Sequence, residues 1–498
     1  MKNNNLPNIN ELPRGRAHEV SRFSKKLSKT LLVLKRPRGS GNKPSLIEEF
    51  KCSIRLALPL IATEIIFALN AFIATAMIAH LGKEELAANA LVWNIYIALV
   101  LFFVGILCSI SIMISQSFGA KDNQGISICF KQGLIMAILF SIPMMLIMWI
   151  TPIILTLANQ DPTVIRHAKP FFHSLILPML PLIVTIAIEH FLIGITKAKI
   201  VMLITALFVP IEIFFYYLFL FGKFGIPKAG LAGIGYSLTI SYTIIVICFI
   251  AYLHFSKASK TYGLFEKWWI IERKFLIEMF RVGLPLGLML FGEVAFFAAV
   301  AIMMGILSTT TLAAFQIAYQ YLLIALMVLC ALSQNTSIRV GSEVGRNNRN
   351  KLKITTAVNM MMGFGLVSIF AIFYIFFPQI AVGLDIDMNS IHYKDVTIET
   401  LKFFPLIAIL LIVDCVRIIC NGALRGLKDT NFQLLINILG FWIIAFPLTY
   451  LLGFKLGFGG VGVWWGIIMG LSITGIMLFI RFNKLSKDID LSLLVTKK

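Results

Sequence analysis

The chain alternates long apolar windows with short polar punctuation. Windows of about 20 apolar residues, the length needed to cross roughly 30 Å of hydrocarbon, recur at 55–80, 88–116, 131–156, 170–195, 200–222, 230–255, 278–307, 312–338, 354–383, 401–424, 430–453 and 458–482. Each is too long for a strand and too continuously apolar for a surface helix, so the pattern predicts twelve transmembrane helices. What remains is a polar stretch over residues 1–46, a middle segment over 257–276 and a tail over 485–498, with no room for a soluble domain. Trp268 and Trp269 stand among Lys and Arg in the middle segment, which predicts a helix lying along the membrane surface.

Six spans on either side of that segment compare well with each other. At an offset of 226, Pro59 meets Pro285, Leu86-Ala87-Ala88 meets Leu312-Ala313-Ala314, and Gly119 meets Gly345; at 227, Gly230, Gly233 and Gly235 meet Gly457, Gly460 and Gly462. A six-span unit has been duplicated. Because six is even, both copies enter the membrane from the same side, which gives parallel repeats about an axis along the membrane normal. The expected fold class is therefore an all-α integral membrane protein with a first lobe over 47–256 and a second over 277–484. The GxxGxG strings open membrane helices and follow no strand, so they read as close helix packing and not as a dinucleotide fingerprint.

Composition narrows the functional classes. Of 498 residues, 58% are hydrophobic and only 14% charged, against about 25% charged in soluble domains, so a water-soluble globule is excluded. A net charge of +20 would suggest a nucleic-acid binder were it not for its distribution. With both termini cytoplasmic, the outer loops hold eight of the 44 Lys and Arg (Lys83, Arg166, Lys169, Lys223, Lys228, Lys394, Lys402 and Lys455), Arg417 lies within a span, and 35 fall on the inner side. The charge is thus a topological signal, and no nucleic-acid partner is expected. Residues 1–46 carry eleven Lys and Arg against Glu11 and Glu19, without the apolar core of a signal peptide, and read as a basic cytoplasmic arm on the lipid surface. Seven scattered Cys form no CxxC pair and read as small apolar residues; the seven His form no HExxH spacing, which argues against a membrane enzyme.

Charges at mid-membrane cost about 2.5–3.5 kcal/mol on insertion scales, so each needs a reason. The candidates are Glu64 in span 1, Glu189 with His190 in span 4, Glu212 in span 5, Glu293 in span 7, and Asp414 with Arg417 in span 10. Glu293 lies twelve residues beyond Arg281, about 18 Å along the axis and near the midplane. Asp414 follows Pro405 by nine residues and Glu189 follows Pro181 by eight, so the duplication has left an acid at nearly the same depth in both halves. Such carboxylates can bind a proton, an alkali cation or a cationic substrate, or serve as structural hydrogen-bond acceptors. Arg417, three residues after Asp414, is placed for an intrahelical pair or for snorkelling inward. Gln316, Tyr319 and Gln320 fall at helical spacing, as a cavity lining or a packing stripe, and Pro59 and Pro285 are candidate hinges.

The strings LALPLIATEIIFALN, MIAHLGKEELAANAL, ISQSFGAKDN and FGKFGIPKAGLAGIGYS in the first half, with GEVAFFAAVAIMMGILSTTTLAAFQIAYQ, RVGSEVGRNN and NGALRGLKDTN in the second, resemble the NorM-type bacterial branch of the multidrug and toxic compound extrusion (MATE) family over about residues 47–484. The resemblance implies a V-shaped monomeric antiporter in the bacterial inner membrane. It would export cationic amphipathic compounds in exchange for Na⁺ or H⁺ and need no cofactor. It also implies that Glu293 and Asp414 form the cation-coupling site, and the Na⁺ ligands if sodium is the coupling ion. Three positions depart from the family's pattern: Ala74 replaces the usual span-1 acid, Arg417 stands where an uncharged Gln is usual, and Glu189 falls where a basic residue is expected. Arg417 keeps open an alternative, export or flipping of a lipid-linked, peptidic or anionic substrate on the same fold.

Overall fold

A computed structural model describes residues 46–266, 270–385 and 393–496, apart from the side chain of Lys83. The basic arm and the tryptophans of the middle segment lie outside the described residues. All regular structure among the described residues is helical: α1 (Leu46–Ala79), α2 (Lys83–Ala120), α3 (Asn123–Leu157), α4 (Pro162–Ser174), α5 (Met179–Gly194), α6 (Ala198–Phe221), α7 (Ala232–Phe255), α8 (Lys257–Tyr262), α9 (Arg273–Leu307), α10 (Thr309–Gly345), α11 (Arg349–Phe376), α12 (Pro378–Asp385), α13 (Lys394–Gly426), α14 (Thr430–Lys455) and α15 (Gly459–Asp488). Eleven of these are long and apolar enough to cross a membrane, and α4 with α5 makes a twelfth, broken span.

Short caps punctuate the bundle as the polar breaks in the pattern require. Asp122 accepts a hydrogen bond from the Gly125 amide at 2.9 Å to start α3, and Ser308 accepts one from Thr311 at 2.9 Å to start α10. Within the spans, hydroxyls return to carbonyls one turn back, as Thr63 does to Pro59 at 2.9 Å and Ser237 to Gly233 at 2.7 Å. Such bonds satisfy polar groups where no water competes.

Three spans differ from the uniform windows of the sequence. The fourth begins earlier, at Pro162, and bends by 55° across residues 175–178, where Pro178 has no N–H to carry the helix on. The ninth, expected to run to 383, stops at Phe376, and the chain turns into the short α12 ahead of Pro378. The eleventh, α14, alternates wide π-type turns with ordinary ones around Pro447. Pro59 and Pro285, by contrast, sit inside unbroken helices. The tail is not free: it forms a single turn at Leu491–Leu493, and Leu491 is buried against Val344, Leu352, Leu424 and Leu427.

Two large apolar cores divide the bundle. One gathers residues of α1 to α8 with the start of α9 and with Ala331 and Ile338 of α10; the other gathers α9 to α15 with Ala57 of α1. Between them α2 packs along α9 and α10, while α1 meets α10 and α11. Backbones touch along this seam. A Cβ on Gly119 would lie 2.0 Å from the Ser342 carbonyl oxygen, and one on Gly345 would lie 1.9 Å from that of Gln116. Gln116 and Ser342 are themselves 226 residues apart, so repeat-mates exchange one contact reciprocally, as a two-fold axis demands. The contact falls at the membrane face where α1 begins, termed the proximal face below.

Candidate functional site

The charged residues of the second half converge. Glu293 projects from the middle of α9, and Asp414 and Arg417 share one face of α13, which packs between α10, α11 and α15. Three-residue spacing on a helix lets Arg417 bend back onto Asp414 through its Nε and, at 3.0 Å, its Nη2. The same Nη2 donates to Glu293 Oε1 at 2.9 Å, and Nη1 reaches Glu293 Oε2 and Asn437 Oδ1, each at 3.4 Å. The guanidinium also lies 5.0 Å from the centre of the Phe441 ring, a cation–π distance. Arg417 is therefore neither snorkelled nor merely paired along its own helix: it bridges two helices.

Exposure separates the three members. The Arg417 and Asp414 side chains are 2% and 3% exposed, whereas that of Glu293 is 22% exposed. Glu293 is thus the member that meets the space between the halves. Cys330 of α10 is exposed and lies within electrostatic reach of both Glu293 and Glu64, which sit on opposite halves. Tyr319, between the rings of Phe297 and Phe315, is also within reach of Glu293's charge, and Gln316 and Gln320 beside it are exposed. Below the triad, Asn437 donates to Asn421 at 3.2 Å and Gln433 donates to the Asn421 carbonyl at 3.2 Å, a chain of buried amides leading toward the proximal face.

The acids of the first half are arranged differently. Glu64 and Glu189 are partly exposed and within range of each other's charge, and among the described residues no basic side chain is bonded to either. His190 turns away into the packing, with Nε2 3.8 Å from Cys108 Sγ. Glu212 is buried and accepts from the Tyr216 hydroxyl at 2.5 Å and from Asn70, with Tyr96 and Tyr242 nearby. Asn70 is one turn before Ala74. The structure therefore forms three groups from the candidates: Glu293 with Asp414 and Arg417, Glu64 with Glu189, and Glu212 in a tyrosine-lined core.

One further cluster, at the proximal face, was not among the candidates. Glu49 of α1 is buried and accepts from Arg339 of α10: Nε at 3.0 Å and Nη2 at 2.8 Å on one oxygen, Nη2 at 2.6 Å on the other. Thr355 of α11 adds a bond at 3.1 Å, and Ser53 and Asn359 extend the network. This joins the first half to the second. In sequence, Glu49 looks like an ordinary acid in the first turn of a helix, and only the polar run SQNTSIRVGSE at the end of α10 hints at a partner.

Carboxylate oxygens are suitable donors for a hard cation. Here Arg417 already donates to both Glu293 and Asp414, so an incoming ion has to compete with a guanidinium. No group of three His, Cys, Asp or Glu gathers as a metal site among the described residues.

A polytopic helical bundle of two repeated halves, with charges held at mid-depth between them, has the build of a membrane transporter. The family model described as MatE matches residues 59–218 and 285–451, two segments whose starts are the repeat-mates Pro59 and Pro285. The chain is 30% identical over 444 residues to the "Probable multidrug resistance protein NorM" of Pseudomonas aeruginosa, covering 89% of this chain and 90% of that one. To the protein of the same name from Brucella suis it is 28% identical, covering 88% and 93%. Among solved structures it superposes on an outward-facing multidrug resistance MATE transporter with a TM-score of 0.80 at 19% identity, covering 90% of this chain and 97% of that one. The chain belongs to the MATE family, whose members are multidrug efflux transporters and not enzymes, and need no cofactor.

Proposed function

We propose that this protein is a secondary active antiporter of the bacterial inner membrane that exports small cationic amphipathic compounds in exchange for Na⁺ or H⁺. The observation that carries the reading is the state of Glu293: a mid-span carboxylate, 22% exposed toward the space between the halves, whose only ionic partner among the described residues is a guanidinium anchored by Asp414. An organic cation and a coupling cation would use the same carboxylate in turn. Each transported species must bind one of the two states of the carrier better than the other, or it moves nothing. Two apolar cores, centred on α1–α8 and on α9–α15, support lobes over 47–256 and 277–484 that rock against each other.

The excess of Lys and Arg in the proximal loops supports a cytoplasmic proximal face, with both termini inside. The Glu49–Arg339 network and the Gly119/Gly345 contact lie at that face, so the conformation described is closed toward the cytoplasm. Pro59 and Pro285 are proposed hinges for the opposite state, and Gln316, Tyr319 and Gln320, with Glu64 and Glu189, are the proposed cavity wall. An anionic substrate is the weaker reading, because Arg417 is 2% exposed and its charge is already shared by two carboxylates.

The test is accumulation of a fluorescent organic cation by inverted vesicles, with Na⁺ and pH gradients imposed separately. One gradient should drive transport in the wild type, and Glu293→Gln should abolish it at unchanged membrane content. Wild-type-like accumulation by Glu293→Gln would remove the carboxylate from the mechanism, and a response to neither gradient would remove antiport.

A further inference from the structure

We infer that Arg417 is a tethered counter-ion that sets the charge capacity of the second-half site at one monovalent cation, and so determines substrate specificity by charge. The inference rests on the exporter reading above but does not follow from it: two free acids would serve that reading equally well.

Three formal charges meet in this cluster. Glu293 and Asp414 bring two negative charges, and Arg417, bonded to both, brings one positive charge. The other hydrogen-bond and ring partners of the guanidinium among the described residues, Asn437 and Phe441, are neutral. The cluster is thus short of neutrality by one positive charge. In a desolvated site this deficit decides what binds, because a surplus charge has neither water nor a counter-ion to offset it. One monocation at Glu293 completes the balance, and a dication overshoots it.

The geometry says which carboxylate an arriving cation reaches. Asp414 holds Arg417 through two donors, Nε and Nη2, from the same helix, and is itself buried, so this pair stays together. Glu293 holds Arg417 from another helix and is the exposed partner. The arriving cation therefore competes with Arg417 for Glu293 alone. Asp414 acts as a positioning residue that keeps the guanidinium from leaving or from being counted as free charge. The Glu64 and Glu189 pair, on the other half, has no such guanidinium and lies outside this count, so the probe has to be compact enough not to span both walls.

The experiment compares tetraphenylphosphonium, a monocation, with methyl viologen, a compact dication, for binding to purified protein in lipid nanodiscs and for transport into inverted vesicles. The wild type should bind one tetraphenylphosphonium per chain and discriminate against methyl viologen by at least ten-fold. Arg417→Gln, which leaves two free acids, should reverse or erase that preference. Asp414→Asn combined with Arg417→Gln restores a deficit of one and should restore the monocation preference, an outcome that a purely structural role for Arg417 does not produce. Methyl viologen displacing tetraphenylphosphonium from the wild type at comparable concentration would overturn the inference without any variant, and so would an unchanged preference in a folded Arg417→Gln protein. Failure of the wild type to bind or export either compound would instead sink the exporter reading.

Discussion

Neutralising Glu49 should open the proximal face. In the structure its carboxylate takes three hydrogen-bond distances from Arg339, between 2.6 and 3.0 Å, and another from Thr355 at 3.1 Å. The pair is secluded, at 11% and 5% exposure, but lies at the end of its helices, so separation exposes both partners to water and recovers much of their hydration. The net stake is therefore nearer to one or two charge-assisted bonds, at about 1.5–3 kcal/mol each, than to the sum of four. A loss of about 2–3 kcal/mol from the closed state alone shifts a two-state equilibrium by roughly 30- to 150-fold. Cys330, exposed and within electrostatic reach of Glu293 and Glu64, reports the change. In vesicles that present the proximal face to the medium, a membrane-impermeant maleimide should modify Cys330 of Glu49→Gln faster by about that factor, as read by peptide mass mapping. Glu49→Gln combined with Arg339→Gln should be far from additive, since each single change removes the same bond. An unchanged Cys330 rate in the folded single variant, or strictly additive effects, would refute the idea that this network latches the face.

Other perturbations follow from the packing and the buried pairs. Asp414→Asn should destabilise the purified protein by about 1.5–3 kcal/mol for each charge-assisted bond lost, since Arg417 keeps Glu293 as its partner; Glu293→Gln, at 22% exposure, should cost distinctly less, and equal shifts in thermal unfolding would contradict the anchor role of Asp414. Gly119→Ala and Gly345→Ala each place a methyl within 2.0 Å of a backbone oxygen and should cost about 1–3 kcal/mol by forcing the seam apart, while Gly365→Ala, with open space around it, should be neutral on the same melting assay. Lys428 donates to Glu278 at 2.5 Å, to the Leu494 carbonyl at 2.8 Å and to Thr496 at 2.8 Å; burial pushes its ammonium below the usual lysine range while Glu278 opposes that. Lys428→Met should release the tail, seen as faster hydrogen exchange over residues 489–496, and unchanged exchange there would show that Leu491 alone holds it.

What the sequence made legible was whatever depends on local pattern and repetition. The apolar windows located the spans because the bilayer imposes one length on all of them. The offset of 226 revealed the repeat because duplicated glycines and prolines keep their backbone roles. The break at 175–178 escaped because its LILP string is as apolar as the helices around it, and hydropathy does not register direction. The six mid-span charges were visible as anomalies, but their grouping was not. Asp414 and Arg417 are three residues apart and could be paired by helix geometry; Glu293 is 124 residues from Arg417 and joins them only through the packing of α9 against α14 and α15. Glu49 was invisible for the opposite reason: at the first turn of a helix an acid is unremarkable, and its burial is created wholly by the second half.

The two halves have kept the same backbone but not the same electrostatics, and the asymmetry bears on how the carrier works. At similar depth the first half holds Glu189 near Glu64 without a basic partner, and the second holds Asp414 under Arg417. A symmetric pair of acidic sites would attract two cations at once and gain nothing from exchange. In the proposed exchange, Glu293 is the one carboxylate of the second half open to a cation, which must first replace a guanidinium. The affinity is then a difference between two ion pairs and not the strength of one, which favours release at each turn of the cycle. Moving the arginine tests this. Arg417→Gln should bind a monocation more tightly in nanodiscs yet transport it more slowly into inverted vesicles, because release becomes limiting. A variant that binds more tightly and exports faster would refute the idea that Arg417 speeds release.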